Sequence, residues 1–265
     1  MADAQADMPT PHRTVQASRA ADGSAAAAGG ALTVAIHQPN YAPWLGYFAK
    51  MAASDLFVFL DDAQYSKNNY INRVQVLGPA GPRWLTVPVS HAFGAPITEV
   101  RPARPDWKRA HLDSLRSFYR KAPCFAAVWP EVEAVYEALG DGSLADINIA
   151  LVTALADRLA IRCRFHRSSA IDTGDARAGD RLVALVRALA PGGTYLSGRG
   201  GAKYQDPEAF ARAGLSLRYR DFAHPVYPQT DRAFAPGLSV LDALFHIGWS
   251  ATADLLAPTT APAIP

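Results

Sequence analysis

Two short apolar runs of β type, Leu32–Ile36 and Leu56–Leu60, flank a stretch in which Trp44, Leu45, Phe48, Met51 and Ala52 recur at helical spacing. Pro43 opens that stretch and it closes before Asp55. A strand, a helix and a strand within about thirty residues match one right-handed parallel crossover. Ligands of open parallel sheets sit beyond the carboxyl ends of the strands. His37, Gln38 and Asn40 follow the first run, and Asp61, Asp62 and Gln64 follow the second. Both clusters are therefore expected to face one crevice.

Beyond the unit, Arg73–Leu77 and Arg83–Val89 alternate around the turn signal Gly78-Pro79-Ala80-Gly81-Pro82, which predicts a hairpin. The chain then reads as extended up to Arg104. Three helical runs follow, from Asp106 to Pro123, Phe125 to Leu139 and Leu144 to Leu159. Strands at Arg162–His166, Thr194–Ser197 and Leu215–Tyr219 alternate with helices near Asp180–Leu189 and Pro207–Ala213, and a short apolar helix is expected at Leu238–Phe245. Such alternation predicts an α/β fold. Its mainly parallel sheet, Rossmann-like or nucleotidylyltransferase-like, has flanking helices, a β-hairpin insertion and a helical layer at 106–160.

The α/β domain is expected to span 31–256. Residues 1–30, rich in Ala, Gly, Asp and Ser, read as a disordered extension without the apolar core of a signal peptide, and 257–265 as a tail. No stretch reaches the length of a membrane span. With 26 Lys and Arg against 24 Asp and Glu, net charge gives no reason to expect nucleic acid or an anionic membrane as a partner. Cys124 and Cys163 have neither a paired spacing nor a metal-ligand spacing, so a reducing compartment is expected, and no metal site.

His37, at the mouth of a buried strand, is a candidate general base or phosphate ligand, set against a histidine that merely caps its loop. Asp61 is the second catalytic candidate. Successive strand side chains point to opposite faces, so at most one of Asp61 and Asp62 should reach the crevice. Gln38, Asn40, Tyr41, Gln64, Lys67, Asn72 and Arg73 lie in polar loops. Their amides and cations suit an anionic or sugar-like small molecule better than hydrocarbon. Ser197, Arg199 and Lys203 belong to a glycine-rich turn after a predicted strand, where phosphate or carboxylate would bind, although the spacing is not that of a P-loop. His224 is a further candidate, oriented by Asp221. Ser168 and Ser169 follow a strand but lack a nucleophile elbow. The helix start invites comparison with nucleotidylyltransferases, whose first helix opens on H-x-G-H. Here Gly46 remains, while Trp44 and Tyr47 stand where the histidines would be.

Six stretches carry a family resemblance: HQPNYAPWLGYFAKM from His37, DLFVFLDDAQYSKNNYINR from Asp55, WLTVPV from Trp84, YLSGRGGAKY from Tyr195, DFAHPVYPQ from Asp221 and PGLSVLDALFHIG from Pro236. Through them the chain resembles the WbqC-like family of bacterial proteins. The resemblance implies a cytoplasmic enzyme encoded among genes for O-antigen, other surface polysaccharides or secondary metabolites. Residue 246 departs from the family pattern, with His where Asn is expected. Resemblance and residues together lead us to expect transfer of an acyl or aminoacyl group onto an activated sugar or similar small molecule. Nucleotidyl transfer or ATP-dependent ligation is the alternative within enzymes, and a non-catalytic ligand-binding or assembly partner the alternative outside them. Neither a cofactor nor an oligomeric state is assigned.

Overall fold

Alternation along the first strand sets the layers of the molecule. A computed structural model of the chain describes residues 31–229 and 233–257, so the expected extension and all of the expected tail except Ala257 lie outside the described residues. In β1 (Thr33–His37), Val34 and Ile36 pack into one apolar cluster and Ala35 into another, because neighbouring strand residues point to opposite faces. The sheet is thus covered on both sides, the usual condition of a parallel sheet.

After β1 come α1 (Leu45–Ala52), β2 (Leu56–Phe59), the hairpin β3 (Arg73–Gly78) and β4 (Gly81–Thr86), and the short pair β5 (Val89–Ser90) and β6 (Arg101–Pro102). The helices α2 (Trp107–Tyr119), α3 (Phe125–Ala138) and α4 (Leu144–Arg158) follow. Then come β7 (Arg164–Arg167), α5 (Ala178–Leu189), β8 (Thr194–Gly198), α6 (Pro207–Arg212), β9 (Ser216–Arg220) and α7 (Val240–Asp254). All five expected strands belong to one parallel sheet in the order β7-β2-β1-β8-β9. The order reverses at β1: the chain builds outward through β2 and β7, then returns to place β8 and β9 on the other side.

The larger cluster joins α1, the hairpin, α2 to α4 and α7 on one face, while α5 and α6 cover the other through Leu185, Val186 and Phe210. Asn148 on α4 donates to Pro39 O at 2.8 Å and Ile71 O at 2.7 Å, tying the turn after β1 to the hairpin. Ser143 caps α4 in a reciprocal arrangement with Asp146.

Three expected boundaries shift. The strand expected at Arg83–Val89 ends at Thr86, and Val89–Ser90 pairs instead with Arg101–Pro102. A 3-10 turn, Ile97–Glu99, interrupts the segment read as extended. The final helix runs to Asp254, crossing a break at Gly248, whose φ of +77° is open to glycine. Cys163 precedes β7, half-buried against the larger cluster and beside Ser54 Oγ at 3.6 Å.

Candidate functional site

Where the strand order of an open parallel sheet reverses, the loops leaving adjacent strands diverge and leave a crevice. Here the reversal falls between β1 and β8. A cavity of about 280 Å³ opens there, lined by His37 at the end of β1, Gly198 and Arg199 at the end of β8, and Arg220, Asp221 and Phe222 at the end of β9. Trp44, Gly46, Tyr47 and Lys50 of the α1 segment complete the wall.

Local chemistry shapes each part of this wall. Ala42 is held at φ +39°, a left-handed conformation costly for a residue with Cβ, while Ser239 Oγ donates to its carbonyl at 2.7 Å. The turn lets α1 begin directly above β1. Gly46 is close-packed: a Cβ there would meet Trp44 Nε1 at 2.7 Å and Phe222 Cδ1 at 2.8 Å. Glycine is what allows these two aromatic rings to approach the helix.

The Gln38 carbonyl accepts from Tyr47 Oη at 3.1 Å and lies 3.0 Å from His37 Nδ1. A carbonyl only accepts, so Nδ1 carries the ring proton and Nε2 is the acceptor nitrogen. Burial, with the nearby Lys50 charge adding to it, lowers the His37 pKa to about 3. The imidazole is neutral across the physiological range. Lys50 is 9% exposed and donates to Ile36 O at 2.9 Å. Burial lowers its pKa to about 7. Arg199 pairs with Asp221 at 2.5 Å in an exposed ion pair. Arg220 Nε is buried and has no hydrogen-bond partner among the described residues.

The structure brings His37 and Arg199 together and places the other candidates elsewhere. Asp61 is fully buried, accepting from Ser168 Oγ at 3.1 Å, Ser169 N at 3.0 Å and Ser169 Oγ at 2.8 Å. Asp62 accepts from the same Ser168 hydroxyl at 2.6 Å and from Arg181. The two carboxylates thus fasten the β2 end to the turn after β7, on the far side of β1 from the cavity, and both serines are their donors. Tyr41 is a core residue whose hydroxyl lies 2.7 Å from His111 Nδ1 and 2.6 Å from Tyr136 Oη. Asn40 is buried in the turn after β1, and Gln38 contributes its carbonyl. Gln64 is exposed and bridges Pro96 through the backbone, and Lys67 is exposed. Asn72 donates to Val87 O at 3.0 Å. Arg73 lies 4.2 Å over the Trp84 ring. Ser197 accepts from Gln205 Nε2 at 2.8 Å, donates to Gly198 O at 3.2 Å and does not line the cavity. Lys203 is exposed on a 3-10 turn, Arg199–Tyr204, and does not line the cavity. His224 packs edge-on against Phe222, and Asp221, expected to orient it, is engaged by Arg199. His246 is buried, with Nδ1 2.8 Å from the Asp242 carbonyl.

Lys50, Arg220 and Phe222 line the cavity without having been singled out from sequence. A lone lysine inside the apolar run Phe48-Ala49-Lys50-Met51, one helical turn beyond Gly46, was the available signal. Among the described residues, no group of three or more His, Cys, Asp or Glu side chains is placed to hold a metal ion, and no helix is long and apolar enough to cross a membrane.

A parallel α/β sheet with a basic and aromatic crevice at its point of reversal is a ligand-binding architecture shared by many activities. The WbqC-like protein family matches residues 38–254, and the chain belongs to that family. It is also 32% identical over 218 residues to the uncharacterized protein Rv1507c of Mycobacterium tuberculosis (strain ATCC 25618 / H37Rv), a match covering 81% of this chain and 94% of that protein.

Proposed function

We propose that this protein is a cytoplasmic group-transfer enzyme. It holds the phosphate or carboxylate of an activated small molecule in the β1/β8 crevice and transfers an acyl or aminoacyl group onto a sugar-like acceptor. The observation that carries this reading is the meeting of Arg199, Arg220 and Lys50 on the wall of one cavity. An anionic ligand in that cavity accepts from the two guanidiniums, each hydrogen bond to a charged group being worth about 1.5–3 kcal/mol. The aromatic rings of Trp44, Tyr47 and Phe222 supply apolar wall around this polar end, the usual composition of a small-molecule site. Both cysteines are free thiols, which suits a reducing compartment. Membership of the family supports a place among surface-polysaccharide or secondary-metabolite enzymes.

A thermal-shift screen with inorganic pyrophosphate, nucleoside-diphosphate sugars, ATP and acyl-coenzyme A tests the reading. A ligand at a hundredfold excess over its Kd stabilises the native state by about 2.7 kcal/mol. For a chain of this size that is roughly 5–10 °C in Tm. Arg220→Gln should lose most of the shift while melting, without ligand, at or above the wild-type temperature. No shift with any anion would overturn the reading. A response to ATP alone would favour nucleotidyl transfer or ligation, and tight binding without turnover a ligand-binding partner.

A further inference from the structure

Lys50 is an unusual occupant of a helix's covered face. Its ammonium has no carboxylate against it among the described residues; its hydrogen bond goes to a backbone carbonyl, Ile36 O. Buried lysines are ordinarily paired. The charged and titratable groups that share its cavity are His37 from β1, Arg199, Arg220 and Asp221 from the ends of β8 and β9, and Tyr47 from its own helix. Two of these are arginines, and Asp221 is bonded to one of them. The surroundings therefore disfavour a further positive charge. Burial, the dominant influence, brings the Lys50 pKa to about 7, whereas His37 is held near 3 and its Nδ1 is committed to Gln38 O. Of the two basic groups, the amine is the one matched to proton transfer near neutral pH.

We propose that Lys50 is the proton acceptor of this site, serving an amine or hydroxyl acceptor that attacks an acyl donor whose anionic part lies against Arg199 and Arg220; this rests on the group-transfer reading above. In the step, the acceptor's nitrogen or oxygen forms a bond to the acyl carbon. The bond from that carbon to the donor's phosphate or thiolate breaks, and its electron pair leaves with that group. The proton released by the acceptor passes to Lys50 Nζ, giving an ammonium that returns it to solvent after product release. His37 is then a positioning residue whose neutral Nε2 accepts a hydrogen bond.

The test uses wild-type protein and trace acetylation with acetic anhydride, a small uncharged reagent that needs no anion site, followed by peptide mapping across pH 5.5 to 10.5. Lys50 should reach half its maximal rate near pH 7, about three pH units below the ordinary lysines that titrate near 10.4. A midpoint near 10, or no modification of Lys50 while exposed lysines react, would overturn the proposal. Inorganic pyrophosphate in a parallel series should slow acetylation of Lys50. Absence of protection with a midpoint near 7 would count against the anion site and leave the amine standing. For any donor and acceptor pair that turns over, Lys50→Arg should lower kcat at least a hundredfold, the scale of general-base catalysis, and change KM far less. Retained kcat would remove Lys50 from the chemistry.

Discussion

One side chain, Lys50, carries a consequence for stability that can be measured without any ligand. The unfolded chain holds this lysine's proton up to about pH 10.4, the folded chain only to about 7. Wild-type stability therefore rises between those pH values, and that contribution is absent below 7. Lys50→Met should be more stable than wild type by about 2–4 kcal/mol at pH 6. The gap should narrow toward pH 9.5, as followed by urea unfolding. A destabilised variant at pH 6 would show that the ammonium is well solvated. Residues of this kind explain what the sequence did and did not disclose. His37 and Arg199 were legible because each directly ends or follows a strand, and strand ends are where parallel sheets place their sites. Lys50 was hidden inside an apolar run that reads as core. Asp61 was misplaced because its partners, Ser168 and Ser169, arrive from a strand far along the chain, and nothing near Asp61 in sequence announces them.

Elements are joined here by buried polar contacts as much as by apolar ones. The Asp242 carboxylate, on α7, accepts from Tyr119 of α2 at 2.9 Å, from Tyr227 at 2.8 Å and from Gln229 at 2.9 Å, the last two in the loop after β9. Tyr119 Oη also accepts from Leu77 N at 2.7 Å, which brings in the hairpin. Asp242→Ala would leave three donors without their acceptor, at a cost of about 3–5 kcal/mol. Tm should fall by roughly 6–20 °C. Asp242→Asn retains an acceptor oxygen and should lose less than half as much; equal losses would mean that the negative charge, not the hydrogen bonding, matters. β1 and β2 were readable as short apolar runs ending in polar residues, whereas β7, Arg164–Arg167, and β9, Ser216–Arg220, are largely polar and were readable from their alternation with helical pattern. The extent of α7 was not, since Gly248 looks like a stop yet serves as a break crossed by two helical pieces.

The acid response belongs to the whole molecule, because a half-buried histidine, His37, and a buried one, His111, lie on different elements. Burial lowers His37 to about 3 and His111, which sits between Tyr41 Oη and Thr86 O, to about 4. The unfolded chain takes up these protons near pH 6.5. Stability should fall as pH drops from about 6.5 toward 4, by at most about 1.4 kcal/mol per pH unit for each histidine. His37→Gln should flatten the urea-midpoint profile across that window by about one histidine's share. An unchanged slope would place the acid sensitivity elsewhere.

The reversal of strand order has a bearing on how the protein comes off the ribosome. A nascent chain that has emerged as far as α5 can pair β7, β2 and β1, yet one side of β1 still shows its backbone amides and carbonyls to solvent, because their partner β8 has not been made. Open strand edges invite pairing with other chains. During synthesis, the half-built crevice wall at β1 is thus the surface most in need of protection, and β8 both shields that edge and brings Arg199 to the site.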